Sequence, residues 1–216
     1  MHNNIKKNDT KIAGNKTIRD WLNLKEKIDK DSNNEKLWDE AFEFFKKRVF
    51  TRYIEPAEDI MNNICSKDLG EGFTISTILC SLIEALETFH QGMHFTPGKP
   101  QNKYEYTHGQ SKAIFTSFLT KRDPFKDVFN NKNLAEDFYS NVRCALLHEA
   151  ATRNGWVIRV DTEKLVEMNG NKKILNRNKF LEAIKNYIES YRRELTTNAE
   201  LKQAFVRKMN SICNTA

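Results

Sequence analysis

Apolar residues recur every three or four positions along most of this chain, the spacing that gathers them on one face of a helix. Leu37, Trp38, Ala41, Phe42, Phe45, Val49 and Tyr53 predict a helix from about Asn33 toward Tyr53, with Pro56 kinking it or beginning a continuation through Ile60 and Ile64. Gly70 and Gly72 interrupt the pattern. From Phe73 to Gln91 apolar residues leave little room for a polar face, which predicts the central helix of the fold, stopped by Gly92. His94 to Gln110 contains two prolines and two glycines and reads as a long loop. Ser111 can cap a short helix carrying Ile114, Phe115, Phe118 and Leu119, ended by Asp123-Pro124, and another helix begins near Asn133. Thr17-Ile-Arg-Asp20, Ser32-Asn-Asn-Glu35 and Thr197-Asn-Ala-Glu200 each place a hydroxyl three residues before an acid, the spacing of an N-terminal capping box.

After Gly155 the period shortens. Trp156–Val160, Leu165–Met168 and Lys172–Leu175 read as short strands, with Asn169-Gly170 as a hairpin turn. Phe180, Leu181, Ile184, Tyr187, Ile188 and Tyr191 then mark one amphipathic helix, and Leu201, Phe205, Met209 and Ile212 a last one. The expectation is a mainly α bundle with a small antiparallel hairpin before the C-terminal helices, and no internal repeat.

One stretch stands apart. In Phe138–Glu149 an arginine and a histidine, Arg143 and His148, lie five residues apart on a helical run. At about 100° per residue, with Phe138 at zero, Ala145, Val142 and Leu146 fall on one apolar face, while Arg143 and His148 fall at about 140° and 280°. Between them lie Ser140, Cys144 and Leu147, a small and partly apolar second face. Such a helix can bury one side in its own core and offer the other to a second copy, which makes Ser140, Cys144 and Leu147 the expected dimer contacts.

Composition narrows the class. The 216 residues, 30% charged with only 8 Gly and 4 Pro, suit one helical domain over residues 17–216, preceded by a polar, frayed tail over 1–16. The start lacks an apolar signal core and no apolar run suggests a membrane span, so a cytoplasmic protein is expected. Cys65, Cys80, Cys144 and Cys213 form no C-x-x-C pair, so neither a zinc knuckle nor a disulfide framework is indicated. Lys and Arg exceed Asp and Glu by 35 to 29, a formal charge of +6 that tilts toward polyanionic partners.

The segment FYSNVRCALLHEAATRNGWVI, with the earlier RYIEPAEDIM and GFTISTILCSLIEALETFHQG, resembles bacterial members of the HEPN superfamily, whose signature is an arginine followed after four to six residues by a histidine. The resemblance spans about residues 53–191. It implies a helical bundle that dimerises through the motif helices, and a metal-independent endoribonuclease of the kind found in toxin and antiviral defence systems. By that resemblance Arg143 and His148 are catalytic, the substrate is RNA, no cofactor is needed, and the products carry 2′,3′-cyclic phosphate and 5′-hydroxyl ends. Many catalytic members carry Asn or Asp directly after the arginine; here that place is Cys144. Asn141 is the candidate substitute, and Glu84 on the central helix a candidate orienter of Arg143 or His148 or, equally, a structural acid. The alternative within the resemblance is a non-catalytic module that binds RNA or a cognate partner protein and uses the motif face for assembly.

Two further constellations compete. Glu87, His90 and His94 could present three metal ligands on one helix face, although Gly92 and Pro97 argue that the helix ends before His94. Tyr104, Tyr106 and His108 could stack on bases or simply pack the loop.

Overall fold

The computed structural model describes residues 7–62 and 70–215. A short hairpin, β1 (Lys11–Ala13) with β2 (Lys16–Thr17), leads into α1 (Ile18–Lys30) and α2 (Glu35–Val49). A π-helical turn, Phe50–Ile54, joins α2 without interruption to α3 (Glu55–Asn62). Next come α4 (Glu71–Gln91), β3 (His94–Phe95), β4 (Glu105–Tyr106), α5 (Ser111–Lys121) and α6 (Phe125–Val128). The motif region is α7 (Lys132–Phe138), a second π-helical turn over Tyr139–Cys144, and α8 (Ala145–Glu149). Three strands follow, β5 (Trp156–Arg159), β6 (Val166–Asn169) and β7 (Lys172–Asn176), and two helices close the chain, α9 (Arg177–Thr197) and α10 (Ala199–Thr215).

The fold is mainly α, as the periodicity implies. Helix α4 is its axis: Ile75, Leu79, Leu82, Ile83, Leu86 and Phe89 are all buried, and α3, α5, α9 and α10 pack around it. Gly92 ends α4 in the left-handed region, φ +67°, and a side chain there would collide with the Ala204 backbone of α10. Phe138, fully buried, fastens the motif helix to everything around it. Its ring meets Phe115 of α5, Phe129, Trp156 of β5 and Phe180 of α9 at centroid distances of 5.1–6.1 Å.

Several expectations need correction. Residues 7–16 are not a frayed tail: Ile12 and Ala13 are core residues, and the Ile12 carbonyl accepts from the Arg48 and Arg52 guanidiniums. Polarity along this stretch hides two apolar residues that a hairpin can turn inward. Residues 1–6, Ile64 and Cys65 lie outside the described residues. The Thr17–Asp20 capping box forms, but α2 is capped by Asn34 rather than Ser32, whose carbonyl instead accepts from Trp38 Nε1. Likewise Asn198, not Thr197, accepts from the Leu201 N–H at the start of α10. An Asx side chain nearer the helix satisfies the free donors first.

Pro56 stands in the first turn of the expected continuation, α3, which contains Ile60. The wide turn before it absorbs the missing amide, so α2 runs on into α3. The predicted hairpin is present as β6 and β7, antiparallel with Asn169 opposite Lys172, and β5 adds to β7 in parallel to make a three-stranded sheet of order β5-β7-β6. Among the described residues α4 is long and apolar enough to cross a membrane, contrary to expectation, but more than half of that stretch is buried against the rest of the protein.

Candidate functional site

The motif helix departs from the regular geometry that its sequence suggests. Between Tyr139 and Cys144 the turn widens to π, so angles drawn at a uniform step do not carry from Arg143 to His148. The Ala145 N–H turns to the Val142 carbonyl, and the Asn141 carbonyl accepts instead from the Arg153 N–H at 2.9 Å. The apolar face survives: Phe138, Val142, Ala145 and Leu146 are buried. Ala150 ends the helix in the left-handed conformation, φ 51°, which is unusual for a residue with a Cβ.

Arg143 is half-buried against α4. Its guanidinium lies 3.8 Å from the Glu84 carboxylate, 5.4 Å from the centre of the Tyr139 ring and 3.9 Å from Cys144 Sγ. Glu84 also accepts from the Ser111 hydroxyl at 3.2 Å. Burial and the adjoining Glu84 charge push the Tyr106 phenol above its ordinary value, so Tyr106 is a neutral neighbour of Glu84. Burial likewise raises the Cys80 thiol, with Arg143 opposing, which keeps Cys80 a protonated, inert neighbour. Of the two motif residues, Glu84 thus lies beside Arg143, and no hydrogen bond or ion pair among the described residues joins it to His148.

His148 sits in the last turn of α8, exposed and without a hydrogen bond or ion pair among the described residues. Leu147 beside it is 56% exposed, a large apolar side chain left in water. Ser140 is exposed and Cys144 half-buried. No hydrogen bond links Arg143 to His148, so one chain presents the cation and the imidazole as separate groups with an apolar residue beside the imidazole.

Asn141 takes a different part from the one its position suggests. Its amide donates to Asp137 at 2.8 Å, away from Arg143. Asp137, which periodicity passes over, is the polar hub of the region: it also accepts from Asn154, from Trp156 Nε1 and from the Lys173 ammonium, at 2.7–2.8 Å. Although its burial would raise it, the Lys173, Trp156 and Asn154 hydrogen bonds hold its carboxyl below the usual range. The signal in sequence was one of two adjacent acids, Glu136 and Asp137, on α7 and a Gly-Trp pair further along the chain, and nothing local connects them.

Glu87, His90 and His94 are not brought together. Fully buried Glu87 accepts two hydrogen bonds from Arg122, at 2.8 and 3.0 Å, and a third from Ser117. His94 lies beyond the end of α4 on β3, 3.6 Å from Glu105. His90 Nδ1 is 3.3 Å from the Tyr187 hydroxyl. The loop aromatics also pack: Tyr106 is buried, Tyr104 lies under the Arg207 guanidinium at 4.1 Å, and His108 lies 4.7 Å from Phe95.

Burial, helped by Arg122, lowers His90 from 6.5 to about 4. An unfolded chain takes up a proton there below about pH 6.5 while the folded one does not until about pH 4, so stability falls as pH drops through that window. In denaturant titrations, wild type is expected to lose about 2 kcal/mol more than His90→Gln between pH 7 and pH 4.5. Equal losses would show that His90 is protonated in the fold.

Comparison with known protein families, characterised proteins and solved structures gives no match for this chain.

Proposed function

We propose that this protein is a HEPN-type, metal-independent endoribonuclease that works as a cytoplasmic homodimer, with Arg143 and His148 as its catalytic residues. The reading rests on one observation: a single motif helix carries an arginine steadied by Glu84 and an exposed histidine that has no partner among the described residues, beside Leu147, an apolar residue without cover. A second copy of that face would cover Leu147 and add its own Arg143 and His148.

The chemistry suits these groups. One neutral imidazole takes the proton from an RNA 2′-hydroxyl, and the freed oxygen attacks the adjacent phosphorus. The bond to the 5′-oxygen breaks, and the leaving oxygen receives a proton from the partner's imidazolium. The arginines hold the non-bridging oxygens as negative charge builds. The products are a 2′,3′-cyclic phosphate and a 5′-hydroxyl end. Cys144 stands where a polar helper is common in the superfamily, and its contact with Arg143 through sulfur is weak.

The test compares wild type, Arg143→Ala and His148→Ala on single-stranded and structured RNA, with oligomeric state measured by light scattering. Each substitution is expected to lower cleavage by at least about 100-fold without changing the oligomer, and a chelator should leave wild-type activity intact. Leu147→Asp should give a monomer with the same loss. Cleavage that survives both motif substitutions would remove the composite site, and a dimeric wild type inactive on every RNA would favour the non-catalytic module.

A further inference from the structure

Away from the motif helix, α10 crosses the junction of α2 and its π-helical turn, with α4 as the floor, and encloses a cavity of about 330 Å³. Arg48, Arg52 and Lys208 line it, together with the hydroxyl-bearing Tyr53, Ser211 and Thr215, and among the described residues no carboxylate does. The two arginines are held in place through the Ile12 carbonyl, at 2.7 and 3.3 Å, which uses only part of their five donors each. Lys208 makes no hydrogen bond or ion pair among the described residues, and its ammonium is 5.8 Å from the centre of the Phe89 ring.

Gathering three cations in a recess is costly, because burial weakens hydration and like charges repel. Both effects act on these residues. Burial and the neighbouring Arg48 bring Lys208 down to about 8, and burial with Arg52 brings Arg48 to about 10. Glu84 is the acid that acts on Lys208, and it is already engaged by Arg143 and Ser111. A compact anion with several acceptor oxygens would offset this concentration of positive charge.

A second cavity of about 420 Å³ adjoins it, sharing His94, Ser211 and Thr215. Its walls are amides and an aromatic ring: Asn102, Asn210, Asn214 and Tyr104 under Arg207. Each volume falls within the roughly 300–1,000 Å³ of small-ligand sites.

We infer that the recess between Arg48, Arg52 and Lys208 binds a terminal phosphate, a phosphomonoester dianion, with the group that carries it lying in the amide-lined cavity alongside. Guanidinium pairs and an ammonium match the three free oxygens of such a phosphate, and a diester in mid-strand offers fewer oxygens and less charge. The carrier is either a free nucleotide or the phosphorylated 5′ end of an RNA strand. The inference is independent of RNA cleavage, because its residues lie outside the motif and it is read by binding alone.

Calorimetric titration of the full chain with inorganic phosphate, AMP, and an oligoribonucleotide with a 5′-phosphate or a 5′-hydroxyl tests it. Wild type is expected to bind a phosphomonoester, and Lys208→Met and Arg52→Met each to weaken that binding at least about tenfold. Lys208→Met should fold as well as wild type or better, since it removes a poorly hydrated charge, so the melting temperature without ligand separates lost binding from lost structure. At least a tenfold preference for the 5′-phosphorylated strand assigns the RNA end; tighter binding of AMP than of either strand assigns the free nucleotide. Absence of binding by all phosphomonoesters, or binding unchanged in both variants, overturns the site.

Discussion

Glu87→Ala is expected to destabilise the protein by about 3–5 kcal/mol, the range for breaking a buried ion pair from one side. Glu87 is 0% exposed, and its carboxylate takes both hydrogen bonds of the Arg122 fork together with the Ser117 hydroxyl. Burial alone would raise its pKa, but the Arg122, Gln91 and Ser117 hydrogen bonds overcome that and hold it below the ordinary carboxylate value. The glutamate is thus ionised in the fold, and truncating it leaves a guanidinium, 18% exposed, without its counter-charge. The pair ties α4 to the end of α5, so the loss falls on the central packing of the bundle. Removing both charges should be milder than removing one, because the cost lies mainly in the uncompensated partner. Denaturant midpoints of Glu87→Ala, Arg122→Met and the double variant Glu87→Leu/Arg122→Met decide this. Additive losses in the double variant would mean that the two side chains act independently.

Asp137→Ala should have the next largest effect, an expected loss of about 3 kcal/mol. Four donors meet this carboxylate: the amides of Asn141 and Asn154, the Trp156 indole and the Lys173 ammonium. Each donor left without an acceptor in a partly buried site costs about 1 kcal/mol or more, with water recovering some of it where the site is open. The substitution also removes the polar ties between the helix that carries Arg143 and the β5–β7 sheet, leaving the Phe138–Trp156 contact. Under the proposed function, RNA cleavage should therefore fall further than the unfolded fraction explains. Asp137→Asn retains the acceptor for Trp156 but gives up the charge facing Lys173, and should recover roughly half the stability. A melting temperature for Asp137→Ala equal to wild type would show that the hub is ornamental to the fold.

Both residues bear on what can be read from a chain without its fold. Glu87 sits inside the apolar helical run, and its spacing to His90 and His94 suggests metal ligands. The partner that claims it, Arg122, is 35 residues away at the end of another helix. Asp137 is one acid among many until β5 and β7 arrive beside it. The Glu84–Arg143 contact was foreseeable because both motif and central helices were, although periodicity alone could not choose between Arg143 and His148 as its partner. The recess of Arg48, Arg52 and Lys208 left no local trace at all: its cations come from α2, the π-helical turn after it and α10, and nothing in their spacing along the chain brings the first two to the third.

Hydrophobic periodicity by itself determined the mainly α class, the central position of α4, the buried face of the motif helix and the hairpin before the last two helices. These depend on how neighbouring residues share one face of one element, and spacing along the chain encodes that directly. Tertiary structure alone decided the buried N-terminal hairpin, the π turn beneath Arg143, the Asp137 hub, the Glu87–Arg122 pair and the cationic recess. Each of these depends on which side chains from distant elements meet, and on how far water is excluded where they do. Burial turns an unremarkable charge into a strong constraint, and burial exists only once the helices have packed.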